Sequence, residues 1–526
     1  MMLHRRLLLA GLASMPMVRT AEGAAVRRLT ILHMNDLHSR HEPVDGRALS
    51  CRADLAREGC FGGVARLASA LAAERAAAAA QGRSVLLLDA GDQFQGSLFY
   101  TAWKGEVELA VMHALGTEAM AVGNHEFDSG PANLARFAGA ARFPVLSANV
   151  DASAEPDLAG KLQPHVMIEK DGFKIGVVGL TTLEAVSGSM PGPLVRFNPP
   201  GPALAASAAV LRAQGAQIVI ALSHLGVGVD RALAGRVSGV DVFVGGHSHT
   251  LLSDSETGAM GPAHQVMTGE AGSAVVVQAG CFGRYFGRLD LDLDAAGGVV
   301  GVGGDVRHVG LDWPEEPRVA GIVAGYAVQL DGVRKRVIGT VAGPIDNAAC
   351  RVGECPLGNF IADAMMGAVH GADLAIMNAG GIRTGLPGGT ITMGDVLTML
   401  PFSNTVATVT LTGADVMAAL ANGVARAGAG GFPQLGGARM AWNAGARTVE
   451  AVEVRQADGS FARLDPGRRY TVATNNFLRA GGDGYTVMRD RGVDAYDAGP
   501  SMEDSVMAAF GRGMVPGAME GRITRQ

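Results

Sequence analysis

Six apolar runs, each closed by a polar or glycine-rich turn, dominate the amino-terminal half of the chain: Leu29–His33, Ser84–Leu88, Ala119–Val122, Ile175–Leu180, Gln217–Leu222 and Val240–Val244. A sheet covered on both faces has no side for polar residues, so its strands are short and apolar throughout, as most of these are. Helix-like, alanine-rich stretches such as Ala65–Ala80 alternate with them, which makes the pattern α/β. With 526 residues, 48% hydrophobic and 18% charged, the chain can fill large cores and lacks the signature of disorder. At roughly 150 residues per domain it divides into about three units or two generous ones. The 75 glycines follow no G-X-Y period and serve loops and close backbone approaches. A net charge of -6 with scattered Lys and Arg excludes the basic stripe that grips a nucleic-acid polymer.

Five of the six runs lead into residues of metal-ligand type: Asp36 and His38 after the first, Asp92 after the second, Asn124 with His125 after the third, His224 after the fifth, and His247 with His249 after the sixth. Sites in α/β sheets gather beyond the carboxyl ends of strands. Taken singly, such an Asp caps a helix and such a His is solvated; at every one of these ends together, they read as a metal site. Oxygen and imidazole donors without thiolate suit zinc, with manganese, cobalt or iron as alternatives. Seven side chains are too many for one ion with an open position, so a two-metal centre follows, with Asp92 in GDQFQGS as the bridge. Such a pair holds a phosphoryl oxygen, acidifies water and stabilises in-line displacement. His125 and Asp128, three apart in GNHEFD, form a catalytic dyad in which Asp orients and charges the imidazole. His33, His41, His113 and Asp89 read as structural, with Asp89 orienting its neighbours.

Residues 1–25 combine basic residues, an apolar run from Leu7 to Val18 and small residues at Gly23, Ala24 and Ala25, the layout of an export signal. The run is shorter than the ~18 residues of a spanning helix, so no stable membrane anchor is expected. Arg5 and Arg6 allow a twin-arginine route, and the location read is periplasmic or secreted. Of five cysteines, Cys51 pairs with Cys60 and Cys350 with Cys355 across short loops. Cys281 is left as a buried small hydrophobe.

Pro314 and Pro317 punctuate a helix-like linker over 313–335, and a second unit runs over 336–526 with glycine-rich turns at Asn378–Gly381 and Gly481–Gly484. The motifs HMNDLHS, LDAGDQFQGS, VGNHEFD, LSHLG and GGHSH, then CRVGEC, NAGGIR, LPFSN and NFLRAGGDGY, resemble the 5'-nucleotidase family over nearly the whole mature chain. The resemblance implies a four-layer, calcineurin-like β-sandwich flanked by helices over 26–312, joined by the linker helix to a second α/β, nucleotide-binding domain. It implies Asp36, His38, Asp92 and His249 around one metal, and Asp92, Asn124, His224 and His247 around the other. His249 stands where close relatives often have Asn or Gln, which restores the wider phosphoesterase pattern G-H-x-H. Arg351 and Arg383 would meet the substrate phosphate, with Asn378, Gly380 and Gly381 forming the supporting loop. Phe402 and Phe477 would sandwich the base, Asn404 would touch its edge, and Asp483 would accept from ribose hydroxyls.

The function so implied is an exported phosphomonoesterase that converts nucleoside 5'-monophosphates to nucleoside and phosphate. The alternatives are a 2',3'-cyclic-nucleotide phosphodiesterase with 3'-nucleotidase activity and a pyrophosphatase on nucleotide sugars or dinucleotides. A sulfur-oxidation hydrolase shares the architecture, but Phe402, Phe477 and Asp483 argue against it. The ligand set and dyad argue against a non-catalytic nucleotide-binding protein. The partner assigned is a nucleotide, with no nucleic-acid polymer and no particular oligomer.

Overall fold

The computed structural model describes residues 27–45, 51, 59–369, 371–402, 404–497 and 499–526. The export-signal reading therefore lies outside the described residues. Among those described, no helix is long and apolar enough to cross a membrane.

The amino-terminal part runs through strands β1 (Arg27–Met34), β2 (Ser84–Asp89), β3 (Ala119–Ala121), β4 (Val145–Leu146), β5 (His165–Lys170), β6 (Phe173–Thr181), β7 (Ile218–His224), β8 (Val242–Gly245), β9 (Gln265–Gly269), β10 (Gly272–Val277), β11 (Tyr285–Leu293) and β12 (Val299–Gly303). They build two sheets. One has the order β12-β11-β1-β2-β3-β4, with the short strand Val306–His308 also on β11; the other is β9-β10-β8-β7-β6-β5. The strands that lead into the candidate ligands pair in parallel: β1 with β2, β2 with β3, and β7 with β8. Their carboxyl ends consequently emerge on one side of each sheet.

Alternation along each strand decides the layers. Leu29, Ile31, Leu86 and Leu88 face Ile175, Val177, Ile220, Leu222, Val242 and Val244 in the core between the sheets. On the outer face of the first sheet, Leu32, Met34 and Leu87 pack with Leu67 and Leu71 of helix α1 (Val64–Ala80) and Val111 of α2 (Glu106–Leu115). On the outer face of the second, Val178, Leu180 and Val219 meet Leu204, Ala208 and Leu211 of α3 (Pro200–Ala213) and Ala234 of α4 (Val227–Ala234). The result is helix on sheet on sheet on helix, the four layers expected. Each fully buried aliphatic side chain contributes about 1.5–3 kcal/mol.

The antiparallel strands β5, β9, β11 and β12 are absent from the sequence reading. β11 shows why: its leucines alternate with Arg288, Asp290 and Asp292, so it lacks the continuous apolar run by which the other strands stand out. Arg288 is satisfied on the helix side by Glu74 at 2.6 Å and by Asp290.

Helix α5 (Pro317–Arg334) leaves the sandwich with Pro317 in its first turn and the Glu316 carboxylate accepting from the N–H groups of Arg318 and Val319. Its Val319, Val323 and Leu330 pack into the core under α1. Beyond it, α6 (Pro356–Ala368), β13 (Leu374–Asn378), β14 (Val406–Thr412), α7 (Gly413–Ala425), β15 (Pro433–Gly436), β16 (Arg469–Asn475), β17 (Val493–Tyr496) and α8 (Met502–Gly511) follow. Their sheet has the order β15-β13-β16-β14-β17. Disulfides join Cys51 to Cys60 and Cys350 to Cys355, each closing a short loop.

Candidate metal centre and substrate cleft

The donors come from both sheets. Parallel register sets Met34 beside Asp89, so the loops that follow run together: Asp36 N–H donates to the Gly91 carbonyl at 2.9 Å and His38 N–H to that of Asp92 at 3.0 Å. A Cβ on Gly123 would fall 2.2 Å from Asp92 Oδ1, so only glycine lets the third loop close on the second. Asp36, His38, Asp92, His247 and His249 all have positive φ, between 51° and 70°. Asp and His enter that region more readily than most residues, yet strain of this kind persists only where the surroundings enforce it.

The polar atoms converge tightly. His38 Nε2 and His249 Nε2 are 3.1 Å apart, and His249 Nε2 is 3.4 Å from Asp36 Oδ1. His224 Nε2 is 3.2 Å from Asp92 Oδ2, and His38 Nε2 is 3.8 Å from it. Three overlapping donor groups result: Asp36, His38 and His249; Asp92, His224 and His247; and His38, Asp92 and His125. The last sets His125 against the centre. His224 donates from Nδ1 to the Ala90 carbonyl at 2.6 Å, which leaves the Nε2 lone pair facing inward. That Nε2 and Asn124 Oδ1 are buried without a hydrogen-bond partner. Orphaned acceptors and two facing imidazole nitrogens are what a divalent cation satisfies, so the residues fit metal.

Electrostatics reinforce this. Burial would raise the Asp92 carboxyl, but the neighbouring His224, His125 and His38 hold it well below the usual carboxylate range. Burial, with the nearby His249, Arg383 and His125, pushes His38 well down despite Asp92. His125 Nδ1 donates to Asp128 Oδ2 at 2.6 Å. Burial alone would depress this imidazole, but Asp128 and Asp92 outweigh it and raise it above its ordinary value.

A cleft of about 420 Å³ opens over the centre between the two parts of the chain. From the sandwich it is lined by His38, Asp92, Asn124, His125, Asp128, His247 and His249, and from the second part by Arg351, Asn378, Gly380, Gly381, Arg383, Phe402, Asn404, Phe477 and Asp483. Asp36 and His224 do not reach it; both are fully buried beneath. Burial and the neighbouring Arg351 guanidinium push Arg383 down to about 10. Phe402 lies 6.0 Å from the His125 ring, centroid to centroid, under the Arg383 guanidinium. Asp483 accepts from Asn378 Nδ2 at 2.7 Å, and Asn378 Oδ1 in turn accepts from Asn475 at 3.0 Å.

Sequence reasoning passed over several residues here. Glu126 is wholly buried and its carboxylate accepts from the N–H groups of Asp92, Gln93, Phe94 and Gly123 at 2.7–3.2 Å, stitching together the loops that carry Asp92 and Asn124. Glu184 reaches His247 Nε2 at 3.1 Å, and Ser189 and Met190 line the cleft. Their signal was the turn after Ile175–Leu180, the one run not followed by a ligand. Cys281 is half-buried rather than a core residue, and its thiol stands beside His249. Asp89 accepts from Gly91 N–H at 2.9 Å and Gln93 Nε2 at 2.6 Å, orienting its loop.

Residues 29–251 match the calcineurin-like phosphoesterase model and residues 337–490 the 5'-nucleotidase C-terminal domain. The chain is 35% identical over 527 residues to 5'-nucleotidase of Bos taurus, covering 94% of this chain and 90% of that protein. It belongs to the 5'-nucleotidase family. A solved 5'-nucleotidase precursor from Thermus thermophilus superposes with a TM-score of 0.87 at 37% identity, over 95% of this chain and 99% of that one. The chain is also 34% identical over 449 residues to the trifunctional nucleotide phosphoesterase protein YfkN of Bacillus subtilis, of whose length it spans 30%. As a member of the 5'-nucleotidase family it is a metallophosphohydrolase.

Proposed function

We propose that the chain releases phosphate from nucleoside 5'-monophosphates, outside the cytoplasm, with two divalent ions at its centre. The observation that carries this reading is the shared cleft: metal-ligand types and an acid–base dyad on one wall, paired guanidiniums and two aromatic rings on the other. Asp36, His38, Asp92 and His249 would hold one ion, and Asp92, Asn124, His224 and His247 the second, with Asp92 between them. When bound, such ions polarise the phosphoryl oxygens and acidify water; zinc fits the donors, as do manganese, cobalt or iron.

Arg351 and Arg383 grip the phosphoryl group in planar, bidentate fashion. Asp128 accepts from His125 Nδ1 and favours the imidazolium, so that the Nε2–H faces the phosphoryl oxygens and stabilises their charge or passes its proton to the leaving oxygen. Phe402 and Phe477 stack on the base, which tolerates many bases because each has a π-face. Asp483 accepts from the ribose. The two disulfides suit an oxidising compartment.

The test is phosphate release from a nucleoside 5'-monophosphate, a 2',3'-cyclic nucleotide, a 3'-monophosphate and a dinucleotide, with and without chelator. Chelator-sensitive preference for the 5'-monophosphate supports the reading. Preference for another ester moves the substrate and keeps the chemistry.

A further inference from the structure

Strands β1, β2, β3, β7 and β8 each lead into a candidate ligand, whereas β6 leads into none. Yet its end is beside the centre: Thr181, the last residue of β6, pairs in register with His224, the last of β7. The turn that follows is pinned at its start. Thr181 Oγ1 donates to the Val122 carbonyl at 2.7 Å, and the Glu184 N–H donates to Thr182 Oγ1 at 3.2 Å. This turn brings the Glu184 carboxylate to His247, with Oε2 3.1 Å from Nε2.

His247 is thereby fixed at three points. Its backbone N–H donates to Asp36 Oδ2 at 3.0 Å, and its Nε2 is engaged by Glu184. The Cδ2 edge of the ring faces Gly226, where a Cβ would fall 3.6 Å from it. Nδ1 lies on the opposite flank of the ring from Cδ2, and it is the nitrogen these contacts leave for an ion beside Asp92 and His224. The neighbouring imidazoles are held by neutral groups: His224 Nδ1 donates to the Ala90 carbonyl at 2.6 Å, and His38 Nδ1 is 3.3 Å from that of Phe94. His247 instead meets a carboxylate from outside the donor groups. A ligand imidazole whose second N–H is given to a carboxylate is fixed in orientation and made a stronger donor.

We propose that Glu184 is a positioning residue of the metal centre. By accepting from His247 Nε2–H it orients the ring, presents Nδ1 to the ion that Asp92, Asn124 and His224 would hold, and sets the affinity of that position alone. The assignment rests on the two-ion reading above. It also gives β6 a part in the centre: every parallel strand that ends there supplies either a candidate ligand or the group that aims one.

The experiment is titration of zinc into the metal-free full chain against a competing chelator, which yields a dissociation constant for each position. The Glu184 side chain is 78% exposed, so its replacement leaves the cores of the sandwich intact, as the denaturant midpoint of the metal-free protein will check. Glu184→Ala should weaken one position about 10- to 100-fold and leave the other within about twofold. Glu184→Gln, which keeps an acceptor for the N–H, should lose less. In a His247→Asn background the ring is gone, and Glu184→Ala should shift the remaining ion by no more than about twofold. The proposal is overturned if Glu184→Ala binds both ions as the unmodified chain does, weakens both equally, or weakens the remaining ion in the His247→Asn background. A Gln variant as weak as the Ala variant overturns it too. A change confined to KM for nucleotide, with metal affinity unmoved, would make Glu184 a rim charge of the cleft instead. Fewer than two ions in the unmodified chain would overturn the two-ion reading itself, a failure distinct from two ions that ignore Glu184.

Discussion

His125 and Asp128 face each other across a single turn, imidazole Nδ1 2.6 Å from carboxylate Oδ2, while the opposite ring nitrogen lies 4.0 Å from Asp92 Oδ2. The carboxylate thus fixes the ring's orientation and leaves the opposite nitrogen over the centre. Asp128→Asn keeps the shape and removes the charge. It is expected to lower kcat about 10²–10³-fold with KM little changed, as read by steady-state kinetics on the preferred ester. An unchanged kcat sinks the dyad assignment.

Asp92 belongs to two of the three donor groups, one with His38 and His125 and one with His224 and His247, and in the proposed reading it lies between the two ions. Asp92→Ala should therefore remove metal from both positions, and His224→Asn from one. Metal content per chain, by elemental analysis after dialysis, is expected to fall from two to near zero in the first variant and to one in the second. Full retention by Asp92→Ala would show that it bridges nothing.

Phe402→Ala and Phe477→Ala probe the far wall. Stacking contributes about 1–3 kcal/mol per base, so each variant should raise KM for a nucleotide about 5- to 150-fold. The KM for a simple aryl phosphate should move far less. Equal shifts for both substrates would mean that the rings pack rather than bind.

His33 supplies a pH test away from the chemistry. It is fully enclosed in β1 opposite Gly287, and burial lowers its pKa from 6.5 to about 4. Above pH 6.5 the ring is neutral folded and unfolded, and nothing changes. Between 6.5 and 4 the unfolded chain takes up a proton that the native one refuses, so stability falls with pH. The loss approaches about 3 kcal/mol near pH 4, from the 1.36 kcal/mol per pKa unit of linkage. In metal-loaded protein, His33→Gln should flatten this component of the denaturant midpoint against pH; an identical slope would place the acid sensitivity elsewhere. The companion change Gly287→Ala would set a methyl 1.8 Å from His33 Nε2 and should cost stability at every pH.

How much of this could be read from the chain alone depended on whether the cause was local. Parallel strands buried on both faces announce themselves as continuous apolar runs, and the residues directly after them are fixed by chain connectivity; hence Asp36, Asp92 and His224 stood out. The short cysteine spacings likewise constrain pairing without long-range information. Glu126 did not stand out, although it lies inside GNHEFD, because its four N–H partners come from two loops brought together only by sheet register. Met190 and Glu184 sit on a turn whose strand carries no ligand, so nothing marked it. β11 was missed because its outward residues are charged.

The donors are divided between the sheets: Asp36, His38, Asp92 and Asn124 follow strands of one, and His224, His247 and His249 belong to the other. Neither sheet carries all seven candidate donors. The centre is therefore a seam, and its occupancy gauges how truly the two halves of the sandwich are aligned. A slip of one sheet over the other by a fraction of a side chain would cost metal while every strand and helix remained intact, so damage to the distant core should surface first as lost affinity for metal.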